Sequence, residues 1–138
     1  MKSEMLKWHE EPHCALLPSM QTDITIVEKR PPHRRLIIDT KYSTTTLAET
    51  PHGGAKFKSG NLYQLYTYLR TQEQESDAHR SAQGMLLYPT TSHDLNEVIS
   101  VQGHKMRVAT LDLSREWEII ERRLLDLVNS TFEPSQAS

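Results

Sequence analysis

The chain has 138 residues, 36% hydrophobic and 25% charged, which supplies enough apolar material for one compact domain and is not the composition of a disordered chain. Its net charge of -2 excludes a wholly basic nucleic-acid coat, and its single cysteine, Cys14, excludes an internal disulfide framework. No apolar run approaches the ~20 residues of a bilayer span and the N-terminus has no apolar secretory core, so a cytoplasmic protein without membrane contact is expected.

Residues 1–21 carry Pro12 and Pro18 with little periodicity and are expected to be an irregular lead-in. His9, His13 and Cys14 form the one short-range cluster of soft ligands, with no second pair at zinc-finger spacing, so no zinc is expected. Residues 22–28 (TDITIVE) alternate as a strand, with Ile24 and Ile26 on one face and Asp23, Thr25 and Val27 on the other. The two prolines of KRPPHR make a turn, and residues 35–42 (RLIIDTKY) follow as a second strand. Residues 43–57 mix Thr, Pro and a glycine pair and predict a long mobile loop.

Ser59 is placed to cap a helix running to about residue 75, in which Leu62, Leu65, Tyr66 and Leu69 recur at helical spacing; Tyr63 and Tyr66 are expected in the core. Residues 72–83 read as the frayed helix end and a linker, and 84–89 (GMLLYP) as a buried strand. Residues 98–102 and 105–111 flank Gly103 and His104 as a hairpin. A last helix spans 114–129 with Trp117, Ile120, Leu124 and Leu127 on one stripe, and Phe132 opens a loose tail. This order of elements suits a mixed sheet with helices packed on it, an α/β or α+β domain over 22–130 between the lead-in and a flexible tail at 131–138.

One constellation has chemical potential. Residues two apart on a strand share a face, so Asp39 and Lys41 stand side by side. If the two strands form a hairpin across KRPPHR, either of two registers places Asp23 opposite Asp39 or Lys41, bringing all three to one face. Directly opposed Cβ atoms lie ~4.5 to 5.5 Å apart, close enough for two carboxylates to share one hard cation. An acid-x-lysine triplet is expected about once by chance in this composition, so the motif alone also fits a surface ion pair on a half-exposed strand. Asn61, Gln64 and Tyr68 share a polar face of the first helix, which fits either a cleft lining or a solvent-facing stripe. The basic residues Lys29, Arg30, His33, Arg34, Arg35, Lys56 and Lys58 are candidates for phosphate contacts or a solvated turn. Gly53 and Gly54 are not followed by Gly-Lys-Ser/Thr, so nucleotide hydrolysis is not expected of this chain.

At these residues the sequence resembles the C-terminal nuclease region of the McrC family, the cleavage subunit of GTP-dependent McrBC systems that restrict methylcytosine-containing DNA. The matching segments are LLPSMQTDITI (16–26), RLIIDTKY (35–42), KSGNLYQLYTYLR (58–70), GMLLYP (84–89) and VQGHKMRVATLDLSREW (101–117). The resemblance implies a PD-(D/E)xK nuclease fold. Asp23 would fill the first acid position, with Thr22 where a proline is usual. Asp39, Thr40 and Lys41 would form the (D/E)xK element, and Gln64 with Tyr68 the QxxxY element of the following helix. It implies Mg²⁺ held by Asp23, Asp39 and the backbone carbonyl near Thr40, with Lys41 orienting the attacking water and stabilising charge on phosphorus. The implied partners are double-stranded DNA and a GTPase subunit; from their charge and placement, Lys29, Arg30, Arg34, Lys56, Lys58 and Asn61 are the residues expected to make weak DNA contacts. Family members are longer and open the nuclease core with a further helix, which this chain is expected to lack, leaving it weakly active alone. The competing expectations are a non-catalytic remnant that keeps the fold and binds DNA or a partner, and an unrelated mixed domain whose acids are surface groups.

Overall fold

The computed structural model describes residues 2–6, 20–41, 47–49, 55–57, 59–89 and 95–132. The strands are β1 (Lys2–Leu6), β2 (Met20–Val27), β3 (Arg35–Thr40), β4 (Leu47–Glu49), β5 (Ala55–Phe57), β6 (Gln83–Pro89), β7 (Asn96–Val101) and β8 (His104–Leu111). The helices are α1 (Ser59–Thr71), α2 (Asp77–Arg80) and α3 (Trp117–Phe132). Six strands form one sheet in the order β1-β2-β3-β6-β8-β7, and β4 and β5 pair separately. The three central strands β3, β6 and β8 run parallel, while β1, β2 and β7 are antiparallel to their neighbours. The domain is therefore a mixed α+β fold, as expected.

Residues 36–39 of β3 and 84–88 of β6 are buried without alternation, the signature of strands covered on both faces. Helix α1 covers one face, where Leu65, Tyr68 and Leu69 pack on Ile37, Leu86, Tyr88, Met106 and Val108. Helix α3 lies on the other, where Leu127 joins Leu36, Ile38, Met85, Leu87, Ala109 and Leu111. The amide of Lys41 donates to Leu87 O at 2.9 Å, which extends the β3–β6 ladder one step past the end of β3.

Several elements depart from the sequence expectation. Part of the expected lead-in is ordered as β1, because an edge strand with one buried side chain, Leu6, gains its order by pairing with β2 rather than from its own periodicity. Strand β2 does not alternate throughout. Lys2 pairs with Thr25 and Glu4 with Thr22, so β2 carries one extra residue there, a bulge that turns Thr22 and Thr25 to the same side with hydroxyls 2.9 Å apart. The expected long loop contains the β4–β5 pair. Helix α1 ends at Thr71 rather than near 75, and Ser59 is its first residue. The expected linker holds α2, capped by the Ser76 side chain, which accepts from the His79 amide at 3.2 Å.

The hairpin turn falls one residue earlier than predicted, at Gln102 (φ 48°) and Gly103 (φ 86°), because a tight two-residue hairpin needs two left-handed residues. His104 is thereby inside β8, fully buried, its ring nitrogens 2.7 Å from Ala82 O and Glu73 Oε1. Trp117 does not belong to the buried stripe of α3; it is 66% exposed, whereas Ile120, Leu124, Leu127 and Val128 face the sheet. Phe132 is the last residue of α3 rather than the start of a tail, and its ring lies 5.5 Å from the guanidinium of Arg34. Tyr63 is 69% exposed rather than packed, and Tyr66 rests at the edge of the α1 cluster.

Helix α1 packs tightly on the sheet at Gly84. A Cβ there would lie 2.8 Å from Cγ and both Cδ atoms of the fully buried Leu65. Gly84→Ala is therefore expected to destabilise the protein by about 1 to 3 kcal/mol through overpacking. Leu65→Ala should cost about 2 to 5 kcal/mol through a cavity. In urea denaturation the double variant should lose clearly less than the sum, since each change relieves the other; additive losses would show that α1 is not seated on Gly84.

Candidate active site

The site lies where β2, β3 and β6 pass beneath the first half of α1. Strands β2 and β3 pair with Ile24 opposite Ile38, Thr25 opposite Ile37 and Ile26 opposite Leu36. One further step in that register brings Asp23 level with Asp39, the first of the two registers open to the sequence. The bulge in β2 falls at this step, and bulges commonly re-aim a side chain. Asp23 reaches across to the end of β3, its Oδ2 accepting from the Thr40 amide at 2.8 Å and from Thr40 Oγ1 at 3.0 Å.

Asp39 is 6% exposed, an unusual setting for a carboxylate. Lys41, two residues on and on the same face, places Nζ 2.9 Å from Asp39 Oδ2, although no hydrogen bond of sound geometry reaches that oxygen. Lys41 Nζ also donates to Gln64 Oε1 at 2.6 Å, and Gln64 Nε2 donates to the Tyr68 hydroxyl at 2.9 Å. The polar face of α1 is thus turned onto the site at these positions and is not a free solvent stripe. Asn61, one turn earlier, donates from Nδ2 to the Tyr88 hydroxyl at 2.7 Å.

The two acids are driven apart electrostatically. Burial raises the pKa of Asp39, and the neighbouring Asp23 pushes the same way against the opposing effect of Lys41. Burial acts to raise Asp23 too, but hydrogen bonds from Asp39 and from the backbone and side chain of Thr40, with the charge of Lys41, outweigh it and leave its pKa lowered. Metal-free, the pair therefore favours an ionised Asp23 beside an Asp39 that holds its proton more tightly than an ordinary aspartate. An open cleft of about 520 Å³, lined by Ser3, Gln21, Thr22, Asp23, Ile24 and Thr40, lies against this end of the sheet.

The donor set here is two carboxylates without a third acid, histidine or cysteine: among the described residues no group of three or more such side chains converges anywhere. Two carboxylates, one with a buried oxygen lacking an aligned donor, fit a hard dication that keeps several waters, and do not fit a structural zinc site. His9, His13 and Cys14 lie outside the described residues.

The other sequence candidates separate by position. Lys29 and Arg30 are exposed in the turn at the far end of the β2–β3 hairpin, about 15 to 20 Å from the acids at strand rise, so they do not line the acid pair. Arg34 in the same turn is held by Glu28, with Nε–Oε1 at 2.5 Å and Nη2–Oε2 at 2.8 Å, and Arg35 by Glu4 at 2.6 and 2.8 Å. Lys56 is on β5 with only its backbone described, and Lys58 lies outside the described residues. Tyr88 was missed by sequence reasoning, which placed it in an apolar strand; the available signal was its hydroxyl, which in a buried strand requires a partner.

Residues 2–89 match a family model described as McrBC 5-methylcytosine restriction system component. That stretch contains every residue of the cluster, from Asp23 to Tyr88. The chain is also similar to the type IV methyl-directed restriction enzyme EcoKMcrBC of Escherichia coli (strain K12), at 34% identity over 126 residues. The match covers 88% of this chain and 34% of that protein, so the chain spans about a third of the length of this relative.

The opposed shifts of the two acids have opposite consequences for stability. A pKa raised in the folded state means stability that is fully present below the unfolded value, 3.8 for Asp39, and lost as pH rises through the folded value. A lowered pKa, as at Asp23, means stability present above the unfolded value and lost as pH falls through the folded one. Without added metal at pH 7, Asp39→Asn should raise the melting temperature, by an amount equivalent to about 0.5 to 2 kcal/mol, and the gain should fade as the pH is lowered towards 4. Asp23→Asn should lower it. Thermal unfolding followed by circular dichroism reads both, and equal signs for the two variants would contradict this electrostatic arrangement.

Proposed function

The chain belongs to the McrBC 5-methylcytosine restriction system component family, and from that membership together with the site geometry we propose that it is the DNA-cleaving subunit of such a system. In this reading it is a PD-(D/E)xK endonuclease that hydrolyses phosphodiesters with Mg²⁺, on double-stranded DNA selected with the help of a GTPase partner. The observation that carries the proposal is the continuous cluster from Asp23 and Asp39 through Lys41 to Gln64 and Tyr68. Acid, acid, lysine, amide and phenol lie in contact at one end of the sheet.

Asp23 and Asp39 would hold Mg²⁺ with the Thr40 backbone carbonyl. The bound ion would polarise the scissile phosphate and acidify a water. The remaining chemistry falls to this chain's own groups. The Lys41 ammonium has three donors. One faces Asp39 and one is spent on Gln64 Oε1, leaving a third for the attacking water or a phosphoryl oxygen. Because Gln64 Nε2 is committed to Tyr68, its oxygen must face the lysine, which fixes the ammonium before substrate arrives. A preset positive charge beside the reacting phosphorus stabilises the charge that develops there. The open cleft of about 520 Å³ beside Asp23 is where a strand of DNA would lie. The exposed Lys29 and Arg30 at the far end of the hairpin can contact backbone phosphates outside the reacting centre.

With methylated plasmid, Mg²⁺, GTP and the GTPase partner, Asp39→Asn and Asp23→Asn are expected to abolish cleavage. Lys41→Ala should slow it by about 10² to 10³-fold, and chelation of divalent ions should stop the wild type. Full cleavage by an Asp39→Asn protein with a normal circular dichroism spectrum would remove the site from consideration. Wild-type protein that binds DNA but never cuts it would instead identify a non-catalytic relative.

A further inference from the structure

We propose that Tyr88 is a positioning residue for Lys41, acting through Asn61 and the axial rotation of α1 to hold the Gln64 carboxamide against the lysine. Its kinetic consequence rests on the nuclease reading above; its structural content does not. Strand β6 pairs in parallel with β3, with Leu86 opposite Asp39 and Leu87 opposite Thr40, so the next step sets Tyr88 beside Lys41. The Tyr88 ring lies in the α1-facing cluster and is 1% exposed. Its strand is otherwise apolar over residues 84–87, and phenylalanine would fill the same volume without the cost of burying a hydroxyl. The hydroxyl accepts from Asn61 Nδ2 at 2.7 Å, in the first turn of α1.

Helix α1 is thus seated on β6 at two unlike points. Leu65 presses on Gly84, a contact of shape alone, and Asn61 is tied to Tyr88 by a directional bond. Apolar packing sets the distance of a helix from a sheet better than it sets rotation about the helix axis. For side chains about 5 to 6 Å from that axis, a rotation of about 20° moves the tip by about 2 Å, enough to break a 2.6 Å hydrogen bond between Gln64 and Lys41. Gln64 follows Asn61 by one turn, so the Asn61–Tyr88 bond acts on it directly. Burial raises the phenol's pKa above its ordinary 10.0, Asp39 adds to this, and Asn61 and Lys41 oppose it. The tether is therefore a neutral hydroxyl that accepts from Asn61.

The test uses the full chain and two readouts. In NMR spectra, Tyr88→Phe and Asn61→Ala should shift the Gln64 side-chain amide and Lys41 Cε resonances alike. Tyr66→Phe, which cuts a different side-chain tether of α1, the hydrogen bond to Gln102, should leave them in place. In cleavage assays Tyr88→Phe should lower kcat about tenfold with KM within about twofold. It should cause no further loss in a Gln64→Leu background, because both changes release the same lysine. Unmoved Gln64 and Lys41 resonances in Tyr88→Phe, or kinetic losses that multiply with Gln64→Leu, would overturn the proposal. If the wild type fails to cut while the resonances shift as described, the nuclease reading falls and the positioning role stands.

Discussion

A carboxylate inside a protein is stable only when something nearby makes its charge worth keeping or its proton worth holding, and Asp39 is the residue at which this fold meets that requirement. It sits at the end of a strand covered on both faces, 6% exposed, with a lysine two residues on as its counter-charge. The geometry of the neighbourhood follows from that placement. Lys41 must fold back over Asp39, which puts its ammonium within reach of α1, and α1 answers with a glutamine rather than a leucine. The bulge in β2 matters for the same reason: it turns Asp23 towards Thr40 beside the buried acid. A folded state that holds Asp39 ionised at neutral pH gives up stability, the usual trade at a site built to bind something.

Much of this was legible in the sequence where a fixed period governs. The side-chain period of a strand placed Asp39 and Lys41 on one face, and the turn prolines implied a hairpin in which either of two registers set Asp23 opposite Asp39 or Lys41, the observed pairing continuing to the first. The helical period placed Asn61, Gln64 and Tyr68 on one stripe. What period does not encode was not legible. An edge strand such as β1 is ordered by its partner, and a bulge is an interruption of the very alternation used to find strands. The amphipathic stripe of α3 was found but not its first residue: the helix opens at Trp117 rather than at 114 and presents that side chain to solvent. His104 looked like a turn residue beside a glycine, and only the left-handed backbone at Gln102 moves it into the strand and the core. Tyr88 was hidden because its ring satisfies an apolar pattern while its hydroxyl serves a polar one.

Family membership and geometry bear on different parts of the functional question. The matches connect the chain to a restriction system directed at modified cytosine, through a relative of which the match covers 34%. The structure contributes the spatial arrangement that identity alone does not give: which acid is buried, which lysine donor is unspent, and how α1 is held over both. No helix among the described residues is long and apolar enough to cross a membrane. In the function proposed above, the chemistry falls to this chain, and recognition of the modified base and the energy of GTP fall to the partner.

The central claim is that Asp23 and Asp39 form a divalent-cation site, and paramagnetic relaxation by Mn²⁺, which shares the oxygen-ligand preference of Mg²⁺, tests it most directly. Titrating Mn²⁺ into isotope-labelled wild-type chain should broaden the amides of Ile24, Thr40 and Lys41 first, and excess Mg²⁺ should restore them. The same titration of Asp39→Asn should leave these amides sharp. Broadening centred on another part of the sheet, or unchanged broadening in Asp39→Asn, would contradict the assignment of this acid pair as the metal centre.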